Sequence, residues 1–579
     1  MSFKTAAHLQ STAHIGTFNN FEYKRPDLNT FGNLFRKALE NLLTAKTFAA
    51  CEDAIETINS LRSEIDTMQS LALIRYNINT QDTFYAAEAH YFDTHYPIYQ
   101  NIILEYYKAL TVSPYKNKIQ KKWGSPLFSY IDSALLTSNP LIVENLKREN
   151  QLSSQYNKLI ASAKISFEGA ERNIADIQVF EQDTDRNKRK KAAQAKWSFF
   201  SSHFEKLDTL YDQLVKVRHE TAQSLGLSNF IDLAYLRFLR TDYKQEQVAV
   251  FRKQIKDFVV PLVNEIYKKR AIRLNLDKTK YYDSAISFKT GNAKVKGNFD
   301  WILNTAETMF IQLSPETEMF FKFMKNKELM DLVSKKNKSF RGYCTWLSKY
   351  KSPFIFANFN GTSNDVRILI HELGHAFQKY HSKHFKLPEY NRPTLEACEI
   401  HSMGLEFLTW PWMNLFFAED TTKYQYSHMC NALILLTYCA AIDEFQHVVY
   451  TYPDLSAQER KNEWKKIEAI YLPYHDYDDN EFLNNGGYWQ HQSHIYTKPF
   501  YYIDYAMAQI CALQFWNRAN VNFDEAWQDY LKICKVGGSL TFSEILKLGN
   551  LKSPFESNCL EHTIKPVMEW LNCIDDAKL

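Results

Sequence analysis

Apolar residues recur at helical spacing over most of this chain. The segment NTFGNLFRKALENLLTAKTFAACEDAIETINSLRSEI, residues 29–65, shows the i, i+3, i+4, i+7 pattern that puts one apolar stripe on a helix. Residues that interrupt such a pattern are scarce, with 16 Gly and 16 Pro in 579 residues. A β-sandwich of this length would need many more turn formers, so the chain is expected to be mainly α with short connections. At this length one hydrophobic core no longer grows, and two or more lobes are expected. Residues 1–165 read as an N-terminal helical region and residues 166–579 as the remainder, with lobes that need not be continuous in sequence.

Two stretches depart from the helical period. From Leu274 to Gly297, polar residues and Gly punctuate the chain, which suits a loop or short strands. Residues 334–362, SKKNKSFRGYCTWLSKYKSPFIFANFNGT, are the best candidate for sheet: Tyr343–Trp346, then PFIFANF, separated by Ser352-Pro353 and closed by Asn360-Gly361. After Ser363 the helical period returns and continues to the end. No internal repeat at solenoid spacing is present.

Charge excludes some functions. Lys and Arg total 69 against 66 Asp and Glu, a balance that gives no electrostatic basis for nucleic-acid binding. The dense run DRNKRKKAAQAKW, residues 185–197, is read as a solvated helix face. The longest apolar run, Ala432–Ile442, is far short of the roughly 20 residues of a membrane-spanning helix. The amino-terminal MSFKTAAHLQSTAHIGTF lacks the continuous apolar segment of a secretory signal. Nine cysteines, an odd number without paired spacing, read as free thiols in a reducing, cytoplasmic setting.

The chemistry concentrates at His371-Glu372-Leu373-Gly374-His375. Two histidines four apart on a helix can share one Zn²⁺, and the adjacent Glu can take a proton from water on the metal. Val366, Leu369, Ile370, Leu373, Ala376, Phe377 and Tyr380 form a single apolar stripe. His371 and His375 lie away from its centre and must face a polar cleft or solvent. A zinc site needs a third protein ligand. TLEACEIHSMGLEFL offers Glu396, Glu399 and Glu406, with His401 as a rival. The first helix is expected to end near Leu387-Pro388, with a turn at Asn391-Arg392-Pro393 before the next helix returns. Glu406, two turns beyond Glu399, could orient a ligating histidine. Glu396 reads as surface charge, and His401 projects away from Glu399.

Further on, GGYWQHQSHIYTKPFYYIDYAMAQ gathers His491, His494, Tyr496, Tyr501, Tyr502 and Tyr505. Neutral hydroxyl and imidazole donors of this kind suit the negative charge that builds on a carbonyl oxygen during peptide hydrolysis.

HELGHAFQ followed by EACEIHSMGLE resembles the thimet oligopeptidase family of zinc metallopeptidases, and more closely its oligoendopeptidase F branch. RGYCTWL, SPFIFANFNGTSNDVRILIHELGHAFQ, VRHETAQSLGLSNFIDLAYLRFLRTDY and HIYTKPFYYIDYAMAQ agree with it, over roughly residues 185–515. The resemblance implies one Zn²⁺ per chain, held by His371, His375 and Glu399, with Glu372 as general base. It implies a helical zincin fold whose two lobes flank a deep channel, which would admit only unstructured oligopeptides. His494, Tyr502 and Tyr505 match the family's order of His and Tyr donors, although the His-to-Tyr interval is shorter and Gly486-Gly487 precedes the His. Tyr496 and Tyr501 remain rivals for that role or for substrate contact. The PFIFANF strand, through Ala357 and Phe359, is expected to be a sheet edge that pairs with extended peptide. A zinc carboxypeptidase or dipeptidyl carboxypeptidase on a related fold is the alternative to an endopeptidase, with Lys498 as a possible cation for a terminal carboxylate. Neither nucleic acid nor membrane is an expected partner.

Overall fold

The computed structural model describes residues 16–339 and 342–579. Residues 1–15, on which the reading of the amino terminus largely rests, lie outside the described residues, as do Phe340 and Arg341 within the strand candidate. Helices hold 71% of the described residues, as the periodicity predicts. The chain forms two compact units, each assembled from three separate stretches: residues 1–131, 295–393 and 531–540 in one, and 132–294, 394–530 and 541–579 in the other.

In the first unit, helices Leu28–Leu43, Phe48–Ile78 and Thr83–Val112 bury Phe35, Ile58, Leu71, Tyr106 and Leu110. Each starts at a side-chain cap: Asp27, Thr47 and Asp82 accept from the backbone N–H of Thr30, Ala50 and Tyr85. Such caps satisfy donors that the first helical turn otherwise leaves unpaired. The predicted sheet is present as strands Met330–Val333, Tyr343–Leu347 and Ser352–Phe359. Ser352–Phe359 is the middle strand, parallel to Met330–Val333 and antiparallel to Tyr343–Leu347. The expectation that PFIFANF is an edge is therefore wrong. Ala357 and Phe359 are buried within the sheet, and the Ala357 carbonyl accepts from Lys338 Nζ. A run apolar at consecutive positions is the pattern of a strand covered on both faces, not of an edge.

The strand leads through Gly361, at φ +87°, into helix Asn364–His381, here called the histidine helix. Asp365 fixes this entry by accepting from the backbone N–H of Asn360 and Gly361. The helix ends at His381, six residues before the expected Leu387-Pro388. Beyond it, Glu389 is pinned by Arg62 Nη2 at 2.6 Å and the Tyr107 hydroxyl at 2.7 Å. Gly538 donates to the Tyr390 carbonyl at 2.9 Å. A Cβ on Gly538 would lie 2.4 Å from the Arg392 carbonyl, so only glycine lets these two loops meet.

In the second unit, helix Leu395–Leu408, the glutamate helix, runs along helix Tyr502–Val521, the tyrosine helix. Their close approach uses Gly404, whose added Cβ would meet the Tyr530 ring at 3.3 Å and the Phe515 ring at 3.7 Å. Helix Thr421–Thr451 contains the apolar run Ala432–Ile442. The span Trp410–Thr451 that includes it is long and apolar enough to cross a membrane, yet 67% of its most apolar window is buried in the protein, as in a core helix. Residues 274–297 form irregular chain around the short turn Tyr281–Asp283, as predicted.

Two features differ from the sequence reading. Ile165–Phe167 and Ala170–Arg172 form a hairpin where helix was expected. Glu168 (φ +49°) and Gly169 (φ +73°) supply the paired left-handed conformations of a tight two-residue turn. The basic run is not simply a solvated face. Arg186 and Arg189 converge on the fully buried Asp283, each at 2.8 Å, and Lys196 pairs with Glu181 at 2.6 Å.

Candidate active site

The histidine helix buries Val366, Leu369, Ile370, Leu373, Ala376 and Phe377, while His371, Glu372 and His375 keep partial exposure. The two imidazole rings are 4.9 Å apart and perpendicular. One ligand atom from each of His371, His375 and Glu399 falls within a group spanning at most 4.8 Å. Two imidazoles and a carboxylate form the donor set that suits a tetrahedral Zn²⁺ with one position left for water or substrate.

Glu399 is 4% exposed, and each of its oxygens has a donor. Tyr501 Oη donates to Oε1 at 2.7 Å, and Ser402 Oγ donates to Oε2 at 3.1 Å. Hydrogen bonds from neighbouring side chains fix a ligand's orientation before the metal binds. Burial, with the Glu399 charge second, pushes the Tyr501 hydroxyl far above its ordinary range, so it stays a donor.

His494 sits among the tyrosine rings, with centroids 5.4 Å from Tyr501, 5.2 Å from Tyr502 and 6.2 Å from Tyr505. Its tautomer follows from its neighbours. The Tyr438 hydroxyl donates to Gln492 Oε1 at 3.2 Å, which turns the Gln492 amide nitrogen toward His494 Nδ1, 2.7 Å away. Nδ1 therefore accepts, and the ring proton resides on Nε2. Burial, then the nearby Lys498 charge, lowers the His494 pKa to about 4, so the ring is neutral at neutral pH. Burial raises the Tyr502 hydroxyl far above its usual range. The cluster thus offers neutral donors, the kind that oxyanion stabilisation requires.

Several predicted residues fall elsewhere. Tyr496 is fully buried, stacked on Tyr156 at 3.9 Å, and belongs to the core rather than to a substrate contact. Glu396 is also fully buried, not surface charge: its Oε1 accepts from the Tyr243 hydroxyl at 3.2 Å. Glu406 Oε2 lies 2.9 Å from His428 Nε2. Trp410 Nε1–H donates to His428 Nδ1 at 3.0 Å, so the His428 proton is on Nε2, facing Glu406. His401 is buried near the Tyr530 ring, and the Tyr530 hydroxyl donates to its carbonyl at 2.6 Å. Gly486, at φ +86°, packs against the Lys461 carbonyl, 2.6 Å from where a Cβ would be; the Gly-Gly pair serves local packing.

Sequence reasoning missed Gln492, Tyr438 and Ser402. Ser402 lies three residues beyond Glu399, a spacing that puts both on one helix face and could have singled it out. Tyr438 is hidden inside an apolar run, where a tyrosine gives no signal of its own.

Comparison with known proteins bears on this geometry. Residues 18–138 match the peptidase M3 N-terminal domain, and residues 179–564 match peptidase family M3. A solved structure of PZ peptidase A with an inhibitor is 49% identical, covers 97% of this chain and 100% of its own, and superposes with a TM-score of 0.92. A crystal structure provisionally described as an oligoendopeptidase F is 47% identical over 98% of this chain and 100% of its own, with a TM-score of 0.93. An oligoendopeptidase F homolog of Mycoplasma genitalium is 23% identical over 69% of this chain and 72% of its own length. The chain belongs to peptidase family M3, in its oligoendopeptidase F branch.

Proposed function

We propose that this peptidase is a zinc-dependent endopeptidase that hydrolyses short, unstructured oligopeptides. The observation that carries the reading is the convergence of His371, His375 and Glu399 ligand atoms beside Glu372 on the same helical turn. Zinc held there would polarise the scissile carbonyl and make water a nucleophile at neutral pH. In this reading Glu372 accepts the proton of the attacking water and delivers it to the leaving amine. His494, through Nε2–H, and the hydroxyls of Tyr502 and Tyr505 donate to the oxygen that becomes negative. Tyr501 and Ser402 hold Glu399 in its ligating orientation. Glu406 keeps its place beside His428 and supports the glutamate helix. The nine cysteines, none bonded to another, support a cytoplasmic location.

The test has two parts. Internally quenched peptides blocked at both ends are expected to be cleaved, and exhaustive chelation is expected to abolish that cleavage until Zn²⁺ or Co²⁺ is restored. Full activity without metal would end the metallopeptidase reading. Resistance of every blocked peptide, with release of residues from free carboxyl ends, would make it a carboxypeptidase. A stably folded domain is expected to resist digestion under the same conditions.

A further inference from the structure

The chain enters the tyrosine helix through a strained residue. Phe500 has φ +69°, in the left-handed region that a bulky side chain adopts only where its surroundings impose it. It follows Pro499, between helix Ser493–Thr497 and the tyrosine helix, and so separates His494 from Tyr501 and Tyr502. Strain of this kind collects at functional sites. Here the next residue is the one whose hydroxyl is 2.7 Å from Glu399.

Two buried side chains that the proposed chemistry does not use hold this turn. Gln446 lies in helix Thr421–Thr451. Its Nε2 donates to the Ile442 carbonyl at 3.1 Å, and its Oε1 accepts from Phe500 N–H at 2.9 Å. A backbone carbonyl only accepts and a backbone N–H only donates, so this amide has a single orientation. Arg240 Nη2 donates both to the Phe500 carbonyl and to Asp504 Oδ1, each at 2.6 Å. It thereby ties the turn to the start of the tyrosine helix, where Asp504 N–H donates to the Tyr501 carbonyl at 3.0 Å. Arg240 Nε and Nη1 have no hydrogen-bond partner among the described residues. A buried guanidinium so incompletely paired is a weak source of stability, and what it does secure is the geometry of this turn. The Phe500 ring packs the other way, 4.9 Å from His447 and 5.6 Å from Tyr450 on helix Thr421–Thr451. N–H, carbonyl and ring of Phe500 are all fixed, and its neighbour Tyr501 is left facing the glutamate helix.

We propose that Gln446 and Arg240 are positioning residues of the peptidase: by imposing the Phe500 turn they aim the Tyr501 hydroxyl at Glu399 and set where Tyr502 enters the donor cluster. The inference rests on the zinc-peptidase reading above and adds to it two residues that act only through others.

The experiment uses the full-length enzyme. Gln446→Met removes the accepting oxygen at nearly constant volume and leaves the Phe500 N–H unpaired. Zinc affinity is read by competition against a chelator, turnover on an internally quenched peptide at full zinc occupancy, and stability by denaturant unfolding of the metal-free protein. The expected result is a zinc affinity about tenfold weaker and a kcat about tenfold lower, with KM within about twofold of the wild type. The loss of affinity should vanish in a Tyr501→Phe background, because the clamp acts on the metal site through that hydroxyl. Arg240→Lys keeps a cation beside Asp504 but shortens the reach to the Phe500 carbonyl. It should give the same pattern, and it carries the test if Gln446→Met does not fold. A lower unfolding midpoint with zinc affinity and kcat unchanged would reduce the clamp to a structural role and overturn the inference. So would a loss of affinity that is equal with and without the Tyr501 hydroxyl. No zinc bound by the wild type, or wild-type affinity in Tyr501→Phe alone, would instead overturn the metal-site reading on which the inference rests.

Discussion

Glu399 has both oxygens engaged by protein donors, and this makes the tyrosine beside it a structural part of the proposed metal site. Tyr501→Phe deletes one hydroxyl and keeps the ring's volume. Loss of such a supporting hydrogen bond typically costs 10- to 100-fold in metal affinity. Competition against a zinc chelator is expected to show that loss, while Tyr502→Phe leaves affinity near that of the wild type. For Tyr502→Phe the expected loss is in turnover instead. Removal of one oxyanion donor costs about 10²–10³ in kcat, with little change in KM. Equal, small effects of both variants on binding and turnover would return the two tyrosines to the core. Glu372→Gln is expected to keep zinc and lower kcat by about 10²–10⁴, the usual general-base contribution. Its readout is turnover at full metal occupancy, and near-normal turnover would place the base elsewhere.

At the scale of elements, the glutamate and tyrosine helices share a buried polar seam. Arg240 Nη2 bonds Asp504 Oδ1 at 2.6 Å, with both side chains fully buried. Glu396 lies in the same seam, where burial and the Asp504 charge push it up to about 8. Burial raises Asp504 as well, to about 7, but the directly bonded guanidinium favours its charged form, so Glu396 is the carboxylate that holds the proton at neutral pH. Because the folded Glu396 binds its proton more tightly than the unfolded one, its contribution to stability is present at low pH and is lost as pH rises through about 8. Glu396→Gln removes that dependence. Relative to the wild type, the variant should gain about 3 kcal/mol between pH 6 and pH 9, read from denaturant unfolding at both values. A constant difference across that range would show that Glu396 is ionised in the fold. The two helices also mark where sequence was and was not informative. The histidine helix was legible because seven apolar positions at one period leave His371 and His375 on the other side. Tyr496 and Tyr501 could not be told apart, because the φ +69° turn at Phe500 decides which ring faces Glu399, and no periodicity records it. Strand order was equally hidden. PFIFANF reads as a strand from its composition, but its central place depends on pairing with Met330–Val333, across more than twenty residues.

At the scale of the whole molecule, partly buried histidines are expected to set the acid limit of the fold. His381, in the first unit, is lowered to about 4, chiefly by burial, with Lys535 and Lys383 adding to it. His491, in the second, is lowered to about 4 by burial among Trp197, Tyr438 and Tyr488, despite the Tyr488 carbonyl, which favours its charged form. An unfolded histidine titrates near 6.5, so between about 6.5 and 4 the unfolded chain binds protons that the folded chain refuses. Stability is therefore expected to fall as pH drops through that window and to level off below it. Each site contributes about 3 kcal/mol across the window, a large share of the stability of a typical fold. Protonated Glu396 acts in the opposite direction over part of the range, and two histidines outweigh it. The measurement belongs on metal-free protein, because protonation of imidazole ligands would release any bound metal and add its own acid lability. Unfolding midpoints taken from pH 7 to pH 4 should decline, and His491→Phe should decline less steeply than the wild type even if it starts lower. A variant whose midpoint falls in parallel with the wild type would show that His491 accepts its proton without leaving the folded state.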